Sequence, residues 1–221
     1  MVVAASFWRM PLSWSVLLSF LGTVLVIQLV PGPGMLFIVA NGIAGGRRAG
    51  IAAAFGAATG VVVQTAAAAA GLSALFAAAP AAFDVVRFAG VAYLAWLAVK
   101  HWRSSGLQLA PEDGAVLPER SARRVFVRAL LNNLANPKVI VFFIAFLPQF
   151  VVPAAGNVHV QLAILGLVFM LVGLVVDVAI GCMAGHIGAL LRKRAGVSKL
   201  LDRVVGTIFG ALAVRLALQR R

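Results

Sequence analysis

The sequence predicts an all-α integral membrane protein: six transmembrane helices arranged as two inverted three-helix repeats, with helices 1 and 4 interrupted. Three observations lead there. The 221 residues are 62% apolar and 11% charged, with a mean hydropathy of +1.03, whereas a soluble domain is about a quarter charged. Six stretches are long and apolar enough to cross a bilayer, at 14–44, 51–79, 83–99, 125–150, 160–185 and 200–218. The first and fourth carry breaks, Pro31-Gly32-Pro33-Gly34 and Asn132-Asn133-Leu134-Ala135-Asn136-Pro137. Such a chain cannot cover a globular surface with polar side chains, which excludes a secreted or cytosolic enzyme and a disordered regulator. The single Cys182 excludes an internal disulfide and any CxxC redox or zinc site.

The first stretch opens like a signal peptide, with Arg9 ahead of an apolar run, but no small-x-small cleavage pattern follows Val30. It is expected to be a retained span. At 31 residues it is too long for one straight crossing, and Pro-Gly-Pro-Gly divides it. Proline lacks an N–H and clashes with the preceding turn, and glycine tolerates non-helical angles. The backbone groups so freed cannot face lipid, so they face protein or a water-filled cavity, where they can bind polar groups. A turn at 45–50 with Arg47 and Arg48 leads into span 2, which carries Gln64; Trp96 and Trp102 at the end of span 3 fit an aromatic belt. A polar linker, about 102–124, holds Pro111 and Pro118 and reads as a loop within a single transmembrane domain covering 1–221. Its two halves would be repeats near 14–101 and 125–218.

The distribution of basic residues sets the expected orientation. The nineteen Lys and Arg against six acids give +13, and in so apolar a chain basic loops beside anionic lipid are a better reading than nucleic acid. The 45–50 turn and the loops at 100–128 and 192–203 hold thirteen of those cations. Placing them in the cytoplasm leaves both termini periplasmic in a bacterial inner membrane.

Two alignments point to an internal repeat. Arg87, Gly90 and Tyr93 fall on Arg203, Gly206 and Phe209 at an offset of 116, and Pro31 falls on Pro137 at an offset of 106. Three helices per unit is an odd number, so the second copy enters the membrane inverted. Inverted repeats with discontinuous helices in matching places are a pattern of secondary transporters.

Pro31-Gly32-Pro33-Gly34-Met35, Asn41 and Gly46-Arg47-Arg48-Ala49-Gly50 resemble the amino-terminal signature of the lysine exporter (LysE/RhtB) family. Asn133-Leu134-Ala135-Asn136-Pro137-Lys138, Phe142-Phe143 and Phe146-Leu147-Pro148-Gln149-Phe150 agree with its second half. The resemblance covers nearly the whole chain. It implies a six-helix inner-membrane exporter of amino acids or related small metabolites, driven by an ion gradient, with no enzymatic activity. Two positions depart from the family pattern: Gly34 stands where Asp or Asn is frequent, and Gln64 where a His is frequent. Both remove a group able to pair with a charged substrate, which favours neutral or small polar amino acids over lysine. A passive channel, or an exporter of a cation or other solute within the same superfamily, is the alternative.

The polar residues inside the spans are the candidate transport pathway: Pro31, Gly32, Pro33, Asn41, Gln64, Asn133, Asn136, Pro137, Lys138 and Asp177. A carboxylate such as Asp177 is costly at that depth and is paired, protonated or on a pathway. It is expected to bind a substrate ammonium or carry the coupling proton, or else to pair with Lys138. Three readings stay open for Lys138: a substrate carboxylate, Asp177, or snorkelling to the interface. Each Asn or Gln is either pathway or helix–helix glue. Arg47 is a candidate gate beside its simpler role as an orientation signal. His101, His159 and His186 are far apart, with no ligand spacing, so no metal and no cofactor are expected. Gly56–Gly60, Gly181–Gly185 and Gly206–Gly210 are small-xxx-small pairs, which serve packing within the subunit or a homodimer. The expected partners are thus a small-molecule substrate, a coupling proton, lipid and a possible second copy.

Overall fold

In the computed structural model, the described residues are 12–78, 88, 91–92, 95–96, 98–100, 102–103, 121–193, 200, 203–204, 206–207, 210–211, 213–214 and 217–218. They are helical or in short connections, with no strand among them. Helix α1 spans Trp14–Leu29, and the Ser13 side chain accepts a hydrogen bond from the Val16 N–H at its start. It stops where proline dictates. Val30, ahead of Pro31, is extended at φ −69° and ψ 117°, because the proline ring disfavours the helical region for its predecessor.

Helix α2, Pro33–Ala78, is two helices joined at Gly46, whose φ of 68° and ψ of −171° suit glycine alone. The turn expected at 45–50 is therefore one residue. Arg47 and Arg48 are already helical, since a single left-handed glycine redirects the chain without a loop. The short arm 33–45 precedes the kink, and the long arm runs on from 47.

Helix α3, Ala122–Leu134, and helix α4, Pro137–Val141, repeat the pattern of a break ahead of proline. Asn136 is extended and its side chain accepts from the Lys138 N–H at 3.1 Å, capping α4. Helix α4 passes into a π-helical turn, Phe142–Phe146, and a 3-10 turn, Leu147–Phe150. Pro148 offers no N–H to the preceding turn and crowds Ile144, so the ladder slips to wider bonds just before it. The segments on either side of the break are bent by 47°. Helix α5, Val158–Lys193, starts where the Asn157 side chain accepts from the N–H groups of His159 and Val160. Fully buried Gln161 ties down the preceding loop through Val152 N–H, Val152 C=O and Gly156 C=O.

Pro33, not Pro31, opens the helix after the first break, as Pro137 opens the helix after the second. Proline is tolerated in a helix's first position, where its missing N–H has no intrahelical partner anyway. Pro31 instead sits in the break itself.

Glycine fixes the packing. A Cβ on Gly50 would lie 2.6 Å from the Gly181 carbonyl oxygen, and one on Gly166 would meet the Thr65 side chain. The long arm of α2 and α5 are thus antiparallel and touch backbone to backbone at one end. Gly56 lies against the Phe126 carbonyl and Gly60 against Asn133, so α2 and α3 run parallel. Gly206 and Gly210 face Ala98, and Gly206 also faces Trp102. Gly56, Gly60, Gly181, Gly206 and Gly210 therefore all serve contacts within the subunit. Among the described residues, two helices pass the length and hydropathy of a span, Pro33–Gly71 and Val158–Ala184, and the bent pair Ala122–Leu134 with Pro137–Phe150 makes a third. Arg87, Tyr93, Phe209 and most of the 102–124 linker lie outside the described residues.

On the side of the breaks nearer the start of α1, the core is aromatic. Phe142 stacks on Phe169 at 4.3 Å between centroids, and Phe20 meets Phe150 edge-on at 5.0 Å. On the other side it is built from Ile38, Ala49, Ala53, Val125 and Ala129, mostly small residues that bring helices close.

Candidate transport site at two helix breaks

Each break leaves carbonyls outside the regular helical ladder: the Ile27 C=O accepts from the Val30 N–H at 3.3 Å and the Asn133 C=O from the Asn136 N–H at 3.0 Å, and each keeps a second lone pair open. At the first break, the Lys138 Nζ donates to the carbonyl oxygens of Ile27 and Val30, at 2.9 Å each. At the second, the Gln64 Nε2 donates to the carbonyls of Asn133, at 3.1 Å, and Leu134, at 3.4 Å. The two breaks lie together. A Cβ on Gly32 would stand 3.5 Å from the Lys138 Cδ, and one on Gly34 only 3.1 Å from the Asn136 Nδ2. A Cβ on Gly32 would make only ordinary contact, so it is the absence of a side chain at 34 that lets the second break approach the first so closely.

Two acceptors in this junction are left over. With Gln64 Nε2 turned to the carbonyls, its Oε1 is buried with no hydrogen-bond partner, and the same holds for Asn133 Oδ1. Buried orphan acceptors are uncommon and mark a place where a further donor fits. Asn133 reaches its position because Gly60 has no side chain: a Cβ there would lie 2.7 Å from Asn133 Oδ1.

The expected pathway residues divide into those that meet here and those that do not. Gly32, Gln64, Asn133, Asn136 and Lys138 are joined by the contacts above, and Pro31, Pro33 and Pro137 set the backbone of the two breaks. No ion pair within 4.0 Å joins Asp177 to Lys138. The two carbonyls hold the ammonium instead. Asn41 donates to the Phe37 carbonyl one turn back in its own helix, at 2.8 Å, beside the crossing of Gly42 and Gly181. Arg47 is exposed next to the Gly46 kink, away from the junction. Sequence reading missed the carbonyls of Ile27 and Val30 and the recess at Gly60. Backbone acceptors carry no residue signature; Gly60 did, as half of a small-xxx-small pair.

Comparison with known proteins shows the family. Residues 25–220 match the model of the LysE type translocator family. A homoserine/homoserine lactone efflux protein of Salmonella typhimurium is 33% identical over 91% of this chain and 96% of its own. The chain belongs to the LysE type translocator family. Other relatives of this translocator include a leucine efflux protein of an Enterobacter species, 31% identical over 86% of this chain and 90% of its own. An uncharacterized membrane protein of Vibrio cholerae is 29% identical over 90% of this chain and 95% of its own. No solved structure matches the chain.

Proposed function

We propose that this translocator is a secondary exporter of small neutral or polar amino acids, moved through the junction of the two helix breaks. The observation that carries the reading is the capping of both breaks by residues from elsewhere, Lys138 at the first and Gln64 at the second. Freed backbone acceptors and orphaned amide oxygens gather in an otherwise apolar bundle, as a polar cargo requires. The efflux proteins named for homoserine and for leucine support the substrate class. The pathway comprises Pro31, Gly32, Pro33, Asn41, Gln64, Asn133, Asn136, Pro137, Lys138 and Asp177, with Arg47 at the cytoplasmic mouth.

The architecture that fits is one domain of six helices in inverted repeats. Parallel packing of α2 and α3 puts the end of the first and the start of the second on opposite sides. A return crossing before α3 is then required, and the described helical residues 88, 91–92, 95–96, 98–100 and 102–103 fit it. The close contacts Gly50–Gly181 and Thr65–Gly166 are exchanged by an offset of 116, the value that aligns the third and sixth spans. Arg47, Arg48, Arg123, Arg124 and Arg128 stand at one end of the bundle, which fits the cytoplasmic face of a bacterial inner membrane. The phenylalanine core then closes the periplasmic half. Reporter fusions within 102–124 are expected to read cytoplasmic and those at both termini periplasmic. A periplasmic signal from the linker would overturn the inverted repeat.

Asp177 is the carboxylate for gradient coupling. Because the two carbonyls already hold Lys138, Asp177 is not locked in an ion pair and is available to exchange a proton. Efflux from loaded proteoliposomes is expected for homoserine or leucine and not for lysine, and imposing a proton gradient should accelerate it. Asp177→Asn is expected to reach the membrane in normal yield and lose that acceleration. Full gradient-coupled efflux in the variant would remove Asp177 from the mechanism. Gradient-independent flux in the parent protein would point to a channel.

A further inference from the structure

We propose that the Lys138 ammonium is a tethered stand-in for the substrate: the carbonyls of Ile27 and Val30 form an α-ammonium subsite, which an arriving amino acid takes over while Lys138 turns to its carboxylate. The inference rests on the amino-acid export proposed above. Its starting point is an inequality between the two breaks. The carbonyls of Asn133 and Leu134 are completed by neutral donors, the Gln64 amide for both and the Asn136 N–H for the first, so capping a break does not need a charge. The carbonyls of Ile27 and Val30 receive a full ammonium in the middle of an apolar bundle. An ion there is expensive to bury, and a neutral donor would have capped them at lower cost.

An ammonium is what those carbonyls are suited to hold. They belong to the C-terminal end of α1, where the aligned peptide dipoles leave partial negative charge. An amino acid's α-ammonium has the same three donors as the lysine's, so it fits the same two oxygens. Lys138 can vacate them because its stem is long and flexible and passes Gly32, which has no side chain to hold it in place. Once displaced, Nζ requires an anion. The substrate's carboxylate, two bonds from its ammonium, arrives with it.

The exchange also accounts for charge. A zwitterion adds none to the site: its ammonium replaces Nζ on the carbonyls, and its carboxylate pairs with Nζ. An amine without a carboxylate adds one positive charge beside Lys138, and an N-blocked acid leaves Nζ contested between the carbonyls and the carboxylate. Both are penalised where water is scarce. The free α-ammonium and the free carboxylate are thus required together.

The test uses the full chain in nanodiscs, with competition binding of L-leucine and L-homoserine, their amides and their N-acetyl derivatives. The parent protein is expected to prefer the free amino acids over both derivatives by about tenfold or more, which is about 1.4 kcal/mol. Lys138→Met removes the tethered competitor and the carboxylate's partner together. The amides are therefore expected to bind more tightly than they do to the parent, and the free amino acids more weakly. Equal losses across all ligands, or no change, would reduce Lys138 to a structural cap and overturn the inference while leaving amino-acid export intact. If the parent binds no member of the panel, the export reading itself falls, and this one with it. Should Lys138→Met fail to fold, the parent answers by solid-state NMR with lysine 15Nζ label and an amino acid 13C-labelled at its carboxylate. A dipolar coupling from Lys138 corresponding to about 4 Å or less is expected. A bound amino acid with no such coupling overturns the exchange.

Discussion

Gly50→Ala is expected to be among the most destabilising single-methyl changes in this protein. Its Cβ would sit 2.6, 2.8 and 2.9 Å from the Gly181 carbonyl oxygen, Cα and carbonyl carbon. All three are backbone atoms, so no rotamer change relieves the overlap, and the two long helices must separate. Overpacking of this kind costs about 1–3 kcal/mol, and close backbone approach is a main source of helix association in membranes. Gly181→Ala meets the Gly50 backbone in the same way, at 2.8 to 3.2 Å. Because both substitutions wedge one contact, the double variant should lose less than the sum of the singles. Gly22→Ala and Gly71→Ala are the controls, since a Cβ on either meets nothing within 4 Å. They should be neutral or slightly stabilising through helix propensity. Melting temperatures in detergent check the set. Equal behaviour of Gly50→Ala and the controls would show that the crossing is looser than described.

Gln64→Leu is expected to damage the second break. It removes the donor to the carbonyls of Asn133 and Leu134 and places a methyl group where the orphan Oε1 had been. The Asn133 carbonyl keeps the Asn136 N–H, so the Leu134 carbonyl is the one left without its donor, at a cost of about 1–3 kcal/mol when buried. Efflux is expected to fall by about tenfold or more, about 1.4 kcal/mol in the barrier. Gln64→His keeps an N–H donor on a similarly sized side chain and should retain most activity. The ranking Gln, then His, then Leu, measured as efflux rate per folded protein, is the check. A Leu variant as active as the parent would show that the break does not need its cap.

The contrast between Gln64 and Lys138 shows where sequence reading ran out. Both residues stood out as polar groups in apolar spans, and both helix breaks were legible from proline and glycine alone. What each side chain binds was not legible, because the partners are carbonyl oxygens, which every residue has. The pairing of Lys138 with Asp177 looked reasonable from charge. It was set aside by distance: two carbonyls reach the ammonium at 2.9 Å, and no ion pair with Asp177 forms within 4.0 Å. Asn41 is similar. It lies in a motif, but its amide is used one turn back on Phe37, and only the folded helix shows that.

The sequence by itself determined that this chain lives in a membrane, where its helices break, and to which family it belongs. Those properties follow from local chemistry, because transfer free energy is summed residue by residue and a proline removes its own N–H wherever it sits. Tertiary structure decided which helix faces which, that Pro33 and not Pro31 opens the helix after the first break, and that the breaks are capped crosswise by Lys138 and Gln64. The reason is one of range. A freed carbonyl requires a donor within about 3 Å, and which of the distant side chains supplies it depends on how closely glycines such as Gly34, Gly50 and Gly60 let the helices approach.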